Sequence, residues 1–194
     1  MRISANRATL GAARLGLLVI GFAVLAACNR PASGPRAADA ATTQGASLSP
    51  RADGLTLDAR QQLTELQAMT APYREVAAAK AAGFIELTGC MSDPAKGGMG
   101  VLYGMTSRFD GKPRPDAPAI LVYEPGENGR LRLAAAEFAV PFAAWTSPNP
   151  PELFGQRFHR DVVFGLWVLH AWVWKANPSG VFAEYNPLVV CENA

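Results

Sequence analysis

The feature that most constrains this chain is a pair of strand-like segments joined by a tight turn. Ala119-Ile-Leu-Val-Tyr-Glu124 is an apolar run of β-favouring residues, Pro125-Gly-Glu-Asn-Gly129 has the length and residue types of a hairpin turn, and Arg130 to Val140 runs back until Pro141 stops it. A third strong strand follows at Gly165–Trp174. Weaker strand candidates precede the hairpin at Phe84–Thr88 and Val101–Tyr103, the second behind a glycine turn or bulge at Gly97–Gly100. Turns are expected at Asn177–Gly180 and Asn186-Pro187, and a proline-rich loop at Trp145–Pro151.

Helix comes before these strands. Leu57–Met69 is rich in Gln, Leu, Glu and Ala, with Leu63, Leu66 and Met69 three apart. Thr70 is placed to cap a second helix over Pro72–Ala82, with Pro72 in its first turn and Gly83 just past its end. Tyr73, Val76, Ala77 and Lys80 would share one face of it. Helices first and hairpin-spaced strands afterwards predict an α+β fold, with an N-terminal helix or broken helix pair packed on an antiparallel sheet.

Only part of the 194-residue chain belongs to that domain. Arg2, Arg7 and Arg14 form a basic start without acidic residues, and an apolar run of about 13 residues, Leu15–Ala27, follows. That length suits a secretory signal and is short of the ~20 residues that span a bilayer. Leu25-Ala26-Ala27-Cys28 then resembles the lipobox of bacterial lipoproteins, which implies cleavage before Cys28 and acylation of its thiol and new amino group. The alternatives are an ordinary signal cleaved near Ala27, leaving Cys28 free, or an uncleaved anchor. Residues 1–27 are thus read as signal peptide, 28–54 as lipid-bearing Cys and flexible tether, and 55–194 as one globular domain. The tether, dominated by Ala, Ser, Thr, Gly and Pro and lacking aromatics, has too little apolar surface to offset its ordering entropy.

Cleavage also changes the charge. Removing three arginines from 18 basic residues leaves 15 against 16 acidic ones, a net of −1. No basic cluster remains to suggest a nucleic-acid partner. The expected partner is the bilayer, held through acylated Cys28, on the periplasmic face or at the cell surface. Asn29 is not the aspartate that retains many such lipoproteins in the inner membrane, which favours the outer membrane in a cell that has two. Once Cys28 is acylated, Cys90 and Cys191 are left as an even pair in an oxidising compartment, where a disulfide is expected, the alternative being a reactive or metal-binding thiol pair.

Several segments carry a family resemblance: Tyr73-Arg-Glu-Val, Thr88-Gly-Cys-Met-Ser-Asp-Pro, Gly98-Met-Gly, Pro118-Ala-Ile-Leu-Val-Tyr-Glu-Pro, Ala136-Glu-Phe-Ala-Val-Pro, and Leu169-His-Ala-Trp-Val-Trp-Lys-Ala-Asn-Pro-Ser-Gly-Val-Phe, with Asn186-Pro after them. Over about residues 70–191 the chain resembles a family of uncharacterised exported bacterial and archaeal proteins. Members often carry a histidine just after the Met-Gly turn, where this chain has Val101-Leu102.

Two side chains stand out as candidates for chemistry. On an alternating strand His170 shares a face with Leu166, Val168, Trp172 and Trp174, as a base in an apolar pocket, a metal or haem ligand, or simply a hydrogen-bonded core histidine. Glu137 would share a face with Leu131, Leu133 and Ala135, and if that face is buried it needs a partner. A Glu137–His170 pair on neighbouring strands would satisfy both, as an acid–base pair or as a structural contact. Tyr103, Tyr123, Trp172 and Trp174 are candidate pocket walls, although aromatics at strand spacing are more often core. Met91, Met99 and Met105 are soft donors without a tight repeat, and His159 is remote from them in sequence. No nucleophile elbow, zinc-protease helix, P-loop or Cys-x-x-Cys motif is present, and no cofactor or metal site is expected. The sequence therefore favours an anchored module binding a small ligand or a protein, with an enzyme using Glu137 and His170, or a metal or haem protein using His170, as alternatives.

Overall fold

The computed structural model describes residues 54–192. The segments read from the sequence as signal peptide, lipid-bearing Cys28 and tether, through residue 53, lie outside the described residues. Among those described, no helix is long and apolar enough to cross a membrane.

Helix α1 spans Leu57–Thr70 and starts where the Thr56 hydroxyl accepts from the Ala59 amide at 3.1 Å. It buries Ala59, Leu66 and Thr70, with Leu63 packed alongside, whereas Met69 is 55 % exposed. A spacing of three lags a helix of 3.6 residues per turn by about 60° a step, so Met69 has drifted off the face that Leu63 begins. The continuous second helix is corrected. Ala71–Tyr73 form a 3₁₀ turn, Glu75 is extended and bridges Arg132, and α2 covers only Val76–Ala81. Thr70 caps nothing, because its hydroxyl donates to the Leu66 carbonyl at 2.8 Å. Gly83 does end α2 with a positive φ of 100°.

Eight strands follow: β1 Ile85–Asp93, β2 Gly97–Gly104, β3 Ile120–Pro125, β4 Leu131–Pro141, β5 Glu152–Leu153, β6 Gln156–Arg157, β7 His159–Asp161 and β8 Leu166–Ala171. Six form a curled antiparallel sheet in the order β1-β2-β3-β4-β8-β7, and β5 with β6 makes a small separate hairpin. The α+β class is as the sequence implies. Gly97–Gly100, expected as a turn or bulge, lies within β2 and carries a bulge at Met99, because Met91 pairs with Gly100 and Ser92 with Gly98. The chain's end crosses the sheet here, with the Gly98 and Asn186 backbones bonding each other in both directions. A Cβ at Gly97 would sit 2.4 Å from the Asn186 carbonyl oxygen, so the glycines are what let the tail approach. The Cys90–Cys191 disulfide fastens the tail to β1.

Both sheet faces are covered. On one, α1 packs Leu66 against Phe138, Val140 and Leu169, while α2 and Phe84 cover Tyr103, Leu121, Tyr123 and Leu133. On the other, Leu102, Ile120, Val122, Ala135 and Val168 meet the returning chain through Trp172, Tyr185 and Val189. A bulge at Ala134 shifts the β3–β4 register, so Tyr123 pairs with Leu133 but Val122 with Ala135. Strict alternation is lost there. Leu131 and Leu133 go to the helix-covered face, and Ala135 to the opposite one. The expectation that Glu137 shares a face with those leucines is corrected accordingly.

Candidate functional site

Beyond the bulge, β4 pairs with β8 in unbroken register, and Glu137 lies directly opposite His170. Both are buried, at 4 % and 1 % exposure. Glu137 Oε2 and His170 Nε2 are 3.3 Å apart, but their orientation falls outside hydrogen-bond geometry, so the contact is an ion pair when His170 is protonated, and both atoms keep hydrogen-bonding capacity. Burial alone would push the His170 pKa down. The Glu137 carboxylate, by charge and contact, outweighs it and holds the imidazolium above its ordinary range.

The pair faces a cavity of about 660 Å³, within the ~300–1,000 Å³ usual for small-molecule sites. Its apolar wall comes from Met91, Met99, Leu102, Phe109, Ile120 and Val168. The buried Glu137 and His170 form its inner end, and exposed residues of the β7–β8 turn form its rim. His159, on the three-residue β7 that sequence reasoning did not find, also lines it. The His159 ring lies parallel to that of His170, with centroids 6.4 Å apart, and its Nε2 is 3.9 Å from Glu184 Oε2. Burial depresses the His159 pKa, against an opposing pull from Glu184. The polar groups therefore run from Glu137 in the interior through His170 and His159 to the half-exposed Glu184.

Among the described residues, five buried side-chain polar atoms have no hydrogen-bond partner in the protein: Thr88 Oγ1, Glu137 Oε2, His159 Nε2, and both nitrogens of His170. All belong to residues lining this cavity. An unsatisfied buried polar atom costs ~1–3 kcal/mol, and native interiors hold few. Their concentration around one cavity leaves hydrogen-bonding capacity there that a polar group or water inside it can fill.

The other sequence candidates lie elsewhere. Tyr103 and Tyr123 stack edge to face at 5.4 Å beneath the helices and do not line the cavity. Tyr123 donates to the Tyr73 carbonyl at 2.6 Å. Tyr103 donates to Glu86 Oε2 at 2.7 Å, and burial followed by that carboxylate pushes its pKa up to about 12. β8 ends at Ala171; Trp172 packs with Val168 on the cavity side of the sheet without lining the cavity, whereas Trp174 packs on the helix-covered side. Trp172 donates to the Ala183 carbonyl at 2.6 Å; Trp174 donates to Thr70 Oγ1 at 2.9 Å, under Arg74. Cys90 and Cys191 are disulfide-bonded. Met91 and Met99 share the cavity with both histidines, while Met105 packs on the helix side. Among the described residues no group of three or more His, Cys, Asp or Glu side chains is arranged to hold a metal ion. Comparison of the chain with protein-family models, curated proteins and solved structures finds no match.

Proposed function

We propose that this chain is an exported lipoprotein, anchored through acylated Cys28 on the periplasmic face or at the cell surface, whose domain binds a small apolar molecule bearing a hydroxyl group. The outer membrane is the favoured site in a cell with two membranes, and the family of exported proteins it resembles is the proposed kinship. The observation that carries the binding function is the set of five buried polar atoms without a hydrogen bond around one apolar cavity. A hydroxyl both donates and accepts. It can donate to Glu137 Oε2 and accept from a ring N–H of His170, while the rest of the molecule lies against Met99, Ile120 and Val168.

All-trans-retinol is a suitable probe because it is apolar, fluorescent and ends in a hydroxyl. Retinol is expected to bind with enhanced fluorescence, and retinyl acetate, whose capped oxygen cannot donate, at least tenfold more weakly, the size expected for one hydrogen bond to a charged group. Equal affinity for the two would remove the role assigned to the polar end, and binding of neither would remove the cavity.

A second reading is supported by the Glu137–His170 contact itself. A carboxylate against an imidazolium at the inner end of a cavity is equipped for acid–base chemistry on that hydroxyl. Turnover of a bound alcohol that disappears in Glu137→Gln, with binding retained, would favour it.

A further inference from the structure

The turn between β7 and β8 exposes three consecutive apolar side chains. Val162 is 73 %, Val163 83 % and Phe164 51 % exposed. Isolated exposed apolar residues are ordinary, but three in a row at a loop tip are not. The loop is also shaped. Asp161 Oδ1 accepts from the Val163 and Phe164 amides at 2.9 and 3.1 Å, and Gly165 takes a positive φ of 68° to turn the chain into β8. All three residues line the cavity, and so does Leu87 of β1, itself 44 % exposed. The apolar tip is therefore the rim of the proposed binding site.

We infer that Val162, Val163 and Phe164 form a lip that inserts into the bilayer surface, and that the cavity draws its ligand, a hydroxyl-bearing lipid, from the membrane itself. The inference rests on the anchored, ligand-binding reading above. The chain outside the described residues supplies one argument for this occupant. About 26 residues of sequence separate Cys28 from the described domain, and a flexible chain of that length would span about 28 Å root-mean-square. A domain anchored through so short a segment would be held near the bilayer. Charge and aromatic content supply a second argument. Arg160 lies beside the lip, its guanidinium 4.8 Å from the Phe142 ring centroid and 5.6 Å from that of Trp167. A cation carried on aromatic rings next to an apolar tip suits the layer where anionic headgroups meet acyl chains. The polar end of the cavity then lies deepest in the protein, and a lipid would enter hydroxyl first.

The test uses the full chain, extracted from cell membranes and reconstituted into vesicles of phosphatidylethanolamine and phosphatidylglycerol, with Phe164→Trp as a reporter. The emission that this substitution adds over the parent is expected to be quenched by at least half when the phospholipid chains are brominated. In parallel, Val162→Ser/Val163→Ser/Phe164→Ser is expected to slow retinol transfer from vesicles at least tenfold more than it weakens equilibrium retinol binding in detergent solution. An added emission equal in brominated and ordinary vesicles overturns the lip, including when the chain does not float with the vesicles. Unchanged transfer in the triple variant overturns membrane uptake. Quenching that requires a second protein copy, seen as dependence on protein density in the vesicle, assigns the lip to self-association and overturns the bilayer as occupant. Retinol titration reads the cavity separately, so failure of the binding reading is told apart from failure of the lip.

Discussion

Glu137 and His170 stand opposite one another on adjacent strands, 3.3 Å apart and nearly sealed from solvent, and neither atom of the contact meets hydrogen-bond geometry. The pair is compensated in charge and incomplete in hydrogen bonding. The first property makes it tolerable in the interior, and the second leaves it the capacity to bond a polar group in the cavity.

Removing one member leaves the other charge or polar ring stranded. His170→Leu is expected to destabilise the domain by ~3–5 kcal/mol, the usual cost of breaking a buried ion pair. Glu137→Leu with His170→Leu is expected to be less destabilised than His170→Leu alone, since two apolar side chains leave nothing unpaired. Urea denaturation of the single and double variants checks this, and additive losses would deny the coupling.

The two histidines give opposite pH dependences. His170 has its folded pKa raised above 6.5, so its contribution to stability is fully present below about pH 6.5 and is lost as pH rises through the folded value. His159 has its folded pKa depressed, so protonation favours the unfolded chain and stability is lost as pH falls below 6.5. Thermal unfolding across pH 5–8 is expected to show a flatter alkaline side in His170→Asn and a flatter acid side in His159→Asn.

The disulfide joins residues 101 apart and holds the tail that supplies Glu184 and Tyr185 to the cavity. Cys90→Ser/Cys191→Ser is expected to cost up to ~4.7 kcal/mol on chain-entropy grounds, and retinol affinity should fall with it. Denaturation and titration with and without reductant measure both.

Gly98 separates close approach from mere flexibility. A Cβ there would lie 2.6 Å from Val189 Cγ1 and 2.7 Å from the Val189 carbonyl oxygen, whereas Gly89 on β1 has nothing within 4 Å. Gly98→Ala is expected to destabilise by ~1–3 kcal/mol and Gly89→Ala to have little effect, read from their denaturation midpoints.

The hairpin over residues 119–140 was legible because its apolar runs flank a turn of recognisable chemistry, and the juxtaposition of Glu137 with His170 followed from placing their strands side by side. Local sequence does not carry the rest. The bulge at Ala134, inside a run of three alanines, gives no signal of its own and reverses the face that Leu131 and Leu133 occupy relative to Glu137. β7 is three residues long, too short for a period to show, so His159 came into the site unannounced. Tyr103 and Tyr123 were open to either reading, pocket wall or the commoner core position, and the helices that cover them decide for the core through tertiary packing. The glycines of β2 read as a turn or a bulge, and only placing the segment that crosses them shows why glycine is needed there.

The most direct test of the central claim is native mass spectrometry of the full chain extracted from the membranes of cells that make it. The expected spectrum shows a protein carrying acyl chains at Cys28, two hydrogens lighter than the Cys90/Cys191 dithiol, with an additional mass that leaves on denaturation and proves to be an apolar hydroxyl compound. A spectrum showing only the covalent mass, from a protein that also takes up no retinol, would contradict the account.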